Sequence, residues 1–212
     1  MKKSALTQDE HRRLAGAIRS AEARTSGEII CVLARSSDGY FYPAAFAVTI
    51  ALMLASLIAA VALERMWVIL PMWQFAAAQL LALATALLLL WRWPALRIRF
   101  VPRALRYRRA HRNAVEQFLA RNIHVTENRT GVLIFLSLAE RYAEVIADAG
   151  INAHVPQERW NAIVADLISH AARGDIVGGY EGAVAACGDM LAEAFPPASG
   201  NENELDDHLV EI

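Results

Sequence analysis

Two long apolar runs dominate the hydrophobic pattern of this chain. The first, Pro43 to Leu63, contains no charged residue, and the second, Trp73 to Trp91, contains only three polar residues, none of them charged. At about 1.5 Å per residue, a helix of either length crosses a hydrocarbon core of about 30 Å. A pair of helices buried in a soluble core is the alternative, but soluble helices usually keep one polar face. The pattern therefore predicts a transmembrane helical hairpin over residues 43–91.

Aromatic and basic residues flank this hairpin. Tryptophans lie near the expected ends of the spans, where interfacial aromatic residues collect. Eight arginines lie in residues 92–112, whereas the turn between the spans has only Arg65. The positive-inside rule therefore predicts an inner-membrane protein whose two termini and folded domain are cytoplasmic. The expected membrane-interface residues are Trp91, Arg92, Trp93, Arg97 and Arg99.

Residues 92–109 form a basic linker after the second span. Pro94 and Pro102 are expected to break it into short pieces. Its alternating arginines and apolar residues favour a position among anionic lipid head groups. A solvated connector is one alternative, and a basic patch that binds nucleic acid is another. Because the net charge of the chain is only −1 and the basic cluster lies next to the membrane, we expect lipid and no nucleic acid as its partner.

Periodic patterns outside the hairpin predict an α/β fold. Thr7 and Glu10 have the spacing of a capping box, which starts a helix. Strands are predicted over Glu28 to Ala34 and Thr130 to Leu138, with Tyr142 to Asp148 folding back antiparallel on the second. The first strand is apolar on both faces, and the single helix before it is too little to cover it. The partners of this strand must therefore come from beyond the transmembrane hairpin, which makes the hairpin an insertion into a single split α/β domain.

The later part of the chain supplies the remaining helices. They are predicted from Arg109 to Ile123, from Pro156 to Gly174 and from Asp175 to Pro196. Four glycines in the last helix predict a close approach to the sheet. The acidic tail has too few apolar residues to fold by itself. The expected organisation is residues 1–42 and 110–196 as one split domain, 43–91 as the hairpin, 92–109 as the linker and 197–212 as a disordered tail.

Residues that carry chemistry are few. Asp148, Glu127, Glu140 and His154 are expected to meet at one edge of the sheet, where carboxylates and a histidine bind a divalent ion and activate water for phosphoryl transfer. The structural alternatives are a turn-stabilising Asp148, a solvated ion pair between Glu140 and Arg141, and a loop position for His154. The two cysteines, at positions 31 and 187, lie in apolar runs and are expected to be reduced core residues.

Three segments resemble the TPM domain family. They are residues 25–32 (Thr-Ser-Gly-Glu-Ile-Ile-Cys-Val), residues 130–137 with Glu140-Arg141, and residues 147–151 (Ala-Asp-Ala-Gly-Ile). The family is named for a plant thylakoid lumen protein, a photosystem II repair protein and a nematode receptor modulator. This chain resembles a membrane-anchored, bacterial-type member. The resemblance implies an α/β/α sandwich around a small mixed sheet, which the transmembrane hairpin interrupts in this chain. It also implies a divalent-metal site in loops beside the strand ends and, in some members, weak acid phosphatase activity.

The same resemblance implies which residues hold the metal. Glu127 and Asn128, which precede the second strand, are carried over together with Asp148, because oxygen ligands suit Ca²⁺ or Mg²⁺. Two features depart from the family pattern. Arg129 adds a positive charge, and residues 151–156 lack the expected aspartate. Members usually lie on the extracytoplasmic side and carry an N-terminal signal peptide, whereas the polar N-terminal residues of this chain predict no signal peptide.

Three functions are compatible with these observations. We expect a membrane-tethered, non-catalytic module that binds partner proteins in the assembly or quality control of membrane complexes, because the family's acidic positions are incomplete. The alternative is a divalent-metal-dependent acid phosphatase. A transporter or channel component is the third, and it is disfavoured because the two spans carry no charge that would line an ion path.

Overall fold

The computed structural model describes residues 5–123, 130–152, 155–197 and 208–212. Two compact units are present: a sheet unit, Met1–Ser37 and Tyr107–Ile212, and a hairpin unit, Asp38–Arg106. In chain order the elements are α1 (Gln8–Glu22), β1 (Glu28–Ala34), α2 (Phe41–Arg65), α3 (Met72–Arg92), α4 (Pro94–Arg97), a 3₁₀ turn (Ile98–Phe100), α5 (Arg103–Ala120), β2 (Gly131–Ser137), β3 (Tyr142–Ala147), α6 (Ala149–Asn152), α7 (Gln157–Ala172), α8 (Ile176–Ala194) and β4 (Leu209–Glu211).

The sheet has the strand order β3-β2-β1-β4. β1 and β2 are parallel, from Glu28 beside Gly131 to Ala34 beside Ser137. β3 returns antiparallel to β2, and β4 lies parallel to β1 on the other edge. Because β1 precedes the two apolar helices and β2 follows them, one mixed sheet is built from both sides of the insertion. The predicted α/β class is confirmed.

Both faces of the sheet are covered by helices. Ile29 and Cys31 of β1 face a core shared with α1, α7 and α8. Ile30 of β1 faces a second core, which contains Ala114 and Phe118 of α5. Every residue of β1 and β2 is buried, which explains why these strands are apolar on both faces. The α/β/α sandwich is therefore confirmed.

Local caps define the helix boundaries. The Thr7 hydroxyl accepts a hydrogen bond from the Glu10 N–H at 3.3 Å, and the Glu10 carboxylate accepts one from the Thr7 N–H at 2.6 Å, which completes the expected capping box. Asp175 caps α8 by accepting a hydrogen bond from the Gly178 N–H at 3.0 Å. Both predicted helix starts are confirmed.

Two glycines of α8 permit close packing between helices. A Cβ atom at Gly188 would lie 2.7 Å from Cβ of Ala21 in α1, and one at Gly179 would lie 2.8 Å from Cβ of His170 in α7. The expectation that α8 glycines approach the sheet is therefore wrong for these two positions. They face neighbouring helices, where a missing side chain lets two backbones come closer.

The last described residues form part of the sheet. Leu209 pairs with Cys31 and is buried, and the Ile212 N–H donates to the Leu33 carbonyl at 3.0 Å. The Glu211 carboxylate accepts a hydrogen bond from the Ala5 N–H at 2.7 Å. The prediction of a disordered tail is therefore wrong for residues 209–211. The backbone N–H and C=O groups of β4 pair with the free edge of β1. The acidic composition of the tail gives no sign of this pairing.

The hairpin unit contains α2 and α3, which follow each other in the sequence and contact each other. In the most apolar 18-residue stretch of each helix, the mean hydropathy is 2.6 for α2 and 1.8 for α3, and 0% and 6% of the residues, respectively, are buried. Their length and composition suffice for crossing a membrane. A small cluster at the base of the unit contains Tyr40, Ala44, Leu90 and Val101.

Prolines break the linker after α3 as expected. Pro94 opens α4, and Pro102 immediately precedes α5. The Arg106 N–H donates to the Pro102 carbonyl at 3.1 Å. The prediction that the following helix begins at Arg109 is wrong, because α5 begins at Arg103. Proline is well tolerated at the start of a helix, because the first N–H groups of a helix have no intrahelical partner and the missing N–H of proline therefore costs no hydrogen bond.

Candidate functional site

The candidate site lies at the edge of the sheet where β1 and β2 begin and β3 ends. Glu28 pairs with Gly131, and the Asp148 N–H donates to the Gly131 carbonyl at 3.0 Å. These three residues therefore form one row across three strands. Paired residues on neighbouring strands point to the same face, and strands lie about 4.8 Å apart. The carboxylate positions 28 and 148 thus share the α5 face, on either side of a glycine.

Asp148 has one carboxylate oxygen available for a ligand. Its Oδ1 accepts a hydrogen bond from the Ala149 N–H at 2.5 Å, and its backbone carbonyl accepts one from the Ile151 N–H at 3.0 Å. Its Oδ2 is buried and has no hydrogen-bond partner in the described parts of the chain. A buried carboxylate oxygen is unfavourable unless water or a cation satisfies it. Asp148 thus starts α6, as its structural alternative expects, and retains an oxygen suited to a hard cation.

Position 131 must be a glycine because Ile123 packs directly against its backbone. A Cβ atom at this position would lie 2.4 Å from Cγ2 of Ile123 and 2.5 Å from the Ile123 carbonyl oxygen. The Thr130 carbonyl accepts a hydrogen bond from the Glu28 N–H at 3.2 Å. Ile123 and Thr130 therefore both lie near the Asp148 edge of the sheet.

Three predicted site residues lie outside the described residues. They are Glu127, Asn128 and His154. Within the described ranges, no three histidine, cysteine, aspartate or glutamate side chains come together as a metal-ligand group. Asp148 is therefore the one member of the predicted ligand set whose surroundings are known.

Glu140 lies at the opposite end of the sheet from Asp148. Ser137 pairs with Tyr142, whereas Val132 pairs with Ala147, so the β2–β3 hairpin separates the two carboxylates by roughly 17–20 Å. The prediction that Glu140 and Asp148 meet at one edge is therefore wrong. A strand hairpin places its turn at one end and its open side at the other.

The alternative expectation for Glu140, a solvated ion pair with Arg141, is also wrong. Glu140 is only 2% exposed. Its carboxylate accepts hydrogen bonds from the Ser37 N–H at 3.0 Å, the Ser36 hydroxyl at 3.2 Å and the Ser137 hydroxyl. It therefore forms no solvated ion pair with Arg141. The Ser-x-x-Glu spacing at the end of β2 is the sequence signal that indicates this bond.

The resemblance segment at residues 25–27 has a structural role at the start of β1. The Thr25 hydroxyl donates to the Phe195 carbonyl at 2.7 Å and accepts from the Gly27 N–H at 3.1 Å. A Cβ atom at Gly27 would lie 3.0 Å from Cδ1 of Leu191. This segment therefore joins β1 to the end of α8.

The two cysteines are buried and free, as expected of core residues. Burial raises the pKa of the Cys31 thiol well above its ordinary value and raises the pKa of Cys187 to about 12. Thiols of such high pKa are poor nucleophiles and poor metal ligands at neutral pH.

One predicted membrane-interface residue has a defined structural role. The Arg97 guanidinium donates to the carbonyls of Leu90 at 2.7 Å and Trp91 at 2.9 Å, and therefore caps the end of α3. It also lies 5.4 Å from the centre of the Phe41 ring. The other four predicted interface residues are all exposed: Trp91, Arg92, Trp93 and Arg99.

Comparisons with known proteins agree with this fold. Residues 96–190 match the family model described as TPM domain. The fold is similar to the NMR structure of the BA42 protein from the psychrophilic bacterium Bizionia argentinensis, with a TM-score of 0.62 and 17% sequence identity over 100% of this chain and 99% of that one. No curated protein matches the chain. The TPM resemblance is thus confirmed for residues 96–190, and the likeness to BA42 concerns the fold.

Proposed function

We propose that the protein is a membrane-anchored module that holds a TPM-type sheet unit at a bilayer surface to bind partner proteins. The observation that carries this proposal is the exposed apolar surface of α2 and α3. Leu57, Ile58 and Leu81 are 62%, 70% and 69% exposed, respectively. Exposing apolar surface to water costs about 25 cal/mol per Å², and a hydrocarbon surrounding removes that cost.

In the proposed topology both termini lie in the cytoplasm. The support is the excess of arginines after α3 over the single Arg65 in the turn. Single cysteines at Val68, in the turn, and Arg19, an exposed position of α1, test this topology in intact cells. A membrane-impermeant maleimide should label Val68→Cys in intact cells and Arg19→Cys only after lysis. The opposite labelling pattern would contradict the topology. Because Cys31 and Cys187 are buried, they contribute little background.

The proposed use is the assembly or quality control of membrane complexes. Arg129 and the missing aspartate in residues 151–156 support a non-catalytic role, since they depart from the pattern linked to metal-dependent activity. Crosslinking in native membranes should capture defined proteins with the native chain. Phe135→Asp, which places a charge in the core of β2 while leaving the hairpin intact, should lose them. The same captured proteins with both chains would contradict binding through the sheet unit.

A divalent-metal-dependent phosphatase is the second candidate function. The buried Oδ2 of Asp148 favours it, and Glu127 and Asn128 would be the other proposed ligands of Ca²⁺ or Mg²⁺. The ion would supply Lewis-acid activation of a phosphoryl oxygen or of water. Calorimetric titration should then detect metal binding that Asp148→Asn removes and Asp166→Asn, at an exposed position, retains. Hydrolysis of an aryl phosphate that depends on metal and on Asp148 would establish the enzyme, and its absence with retained metal binding would leave a structural cation.

A further inference from the structure

A cavity of about 340 Å³ opens at the Glu140 end of β2, away from the Asp148 edge. Its aliphatic wall includes Leu138, which follows β2, and Ile168 and Ala172 from α7. The polar residues that line it, within the described ranges, are Ser137 and Arg141. Its volume falls within the range of small-ligand pockets, about 300–1,000 Å³. A mostly aliphatic wall with a single cationic side chain is suited to an amphipathic anion.

Arg141 lines this cavity, and no acidic side chain among the described residues forms an ion pair with it. Its φ angle is 52°, a left-handed conformation that is uncommon for a side chain other than glycine. This conformation is part of a tight turn in which the Arg141 N–H donates to the Leu138 carbonyl at 3.2 Å. Its exposed guanidinium forms no hydrogen bond or ion pair with the part of the chain that the structure describes. Its neighbour Glu140 instead turns inward to the serines.

The inward carboxylate of Glu140 sets the orientation of a bound anion. Glu140 is buried behind Ser137, whose hydroxyl donates to it and also accepts from the Ser37 hydroxyl at 3.0 Å. Because the Ser137 hydroxyl already donates its proton to Glu140, it cannot donate to a second carboxylate deep in the cavity. The guanidinium of Arg141, by contrast, provides a planar pair of donors at an exposed position. The anionic group is therefore favoured at Arg141 and the aliphatic group against α7.

We propose that this cavity binds a carboxylate carried on a short aliphatic group, with the carboxylate paired to Arg141. The same chemistry has two sources: a small free acid, and the carboxyl-terminal residue of a partner chain ending in an aliphatic side chain. The proposal uses only residues of the sheet unit and does not depend on membrane insertion.

The test uses the full-length protein in lipid nanodiscs and isocaproate as the probe. Saturation-transfer NMR titration should show isocaproate binding about tenfold more tightly than its neutral amide, because the amide cannot form the charged pair. Arg141→Gln should reduce isocaproate to the level of the amide. Arg12→Gln, which makes the same charge change at an exposed position of α1, should leave binding unchanged. Ala172→Phe, at an exposed position of the wall, should block both probes.

An acetylated peptide that ends in leucine distinguishes the two sources. Tighter binding of the free-carboxylate peptide than of isocaproate would assign the cavity to a partner's chain end, and tighter binding of isocaproate would assign it to a small acid. In either case the amidated peptide should bind about tenfold more weakly than the same peptide with a free carboxylate. Equal binding of acid and amide, binding unaffected by Arg141→Gln, or no binding of any probe would overturn the proposal.

Discussion

Replacing Leu209 with alanine tests whether the end of the chain is part of the fold. Leu209 is 3% exposed and lies in the core shared by α1, α7 and α8. Truncating a buried leucine costs roughly 2–5 kcal/mol, depending on how well the site relaxes. Because β4 is a three-residue edge strand that relaxes easily, we expect the low end, about 2 kcal/mol. A disordered tail would give a change near zero.

The assay is thermal unfolding of the full-length protein in detergent. A loss of about 2 kcal/mol should lower Tm by roughly 4–8 °C. Leu119→Ala is the matched control, because Leu119 is 52% exposed on α5 and its truncation should change stability by less than about 0.5 kcal/mol. Amide exchange gives a local measure: the Arg35 N–H, which donates to the Ile212 carbonyl at 3.1 Å, should exchange faster in Leu209→Ala. Equal Tm shifts for the two variants would refute the packing of β4.

Two further predictions concern α8 and its cap. Gly188→Ala should destabilise the protein by about 1–2 kcal/mol, because the new methyl group would lie 2.7 Å from Cβ of Ala21. Gly182→Ala should stabilise it by up to about 1 kcal/mol, because the nearest atom to its new methyl group, Oδ2 of Asp166, would lie 3.5 Å away. Denaturant titration measures both, and equal effects would contradict the close α1–α8 approach. His170, with help from the Gly178 N–H, lowers the pKa of Asp175 below its ordinary value of 3.8. The resulting stability is present above that value and is lost as the pH falls through the lowered pKa. Asp175→Asn should therefore reduce the loss of Tm between neutral and acidic pH, and an unchanged pH profile would contradict the role of this contact.

Most of the fold follows from local patterns, and the errors follow from contacts between distant residues. The buried strand β1 is recognisable because all its residues are apolar except Glu28 at its start, and the caps at Thr7 and Asp175 are short-range motifs. β4 has only three residues, in an acidic segment, and its pairing depends on the free edge of β1. No periodicity in residues 197–212 indicates that edge.

The candidate site shows the same limit. Asp148 was recognisable as a polar residue at a strand end, but its free Oδ2 depends on the turn into α6. The expected meeting of Glu140 and Asp148 conflicts with the predicted hairpin itself, because Glu140 lies in its turn and Asp148 lies after the far end of β3. The burial of Glu140 by three serines, two of them about a hundred residues earlier in the chain, is a tertiary feature.

Extraction of native membranes with alkaline carbonate tests the membrane anchor most directly. The two apolar helices α2 and α3, which lie between β1 and β2 in the sequence, should keep the full-length chain in the membrane pellet. A double variant with arginine at Leu57 and Leu81 should shift toward the supernatant, since each arginine near a helix centre costs about 2.5–3.5 kcal/mol of insertion. Recovery of the native chain in the carbonate supernatant would contradict the account.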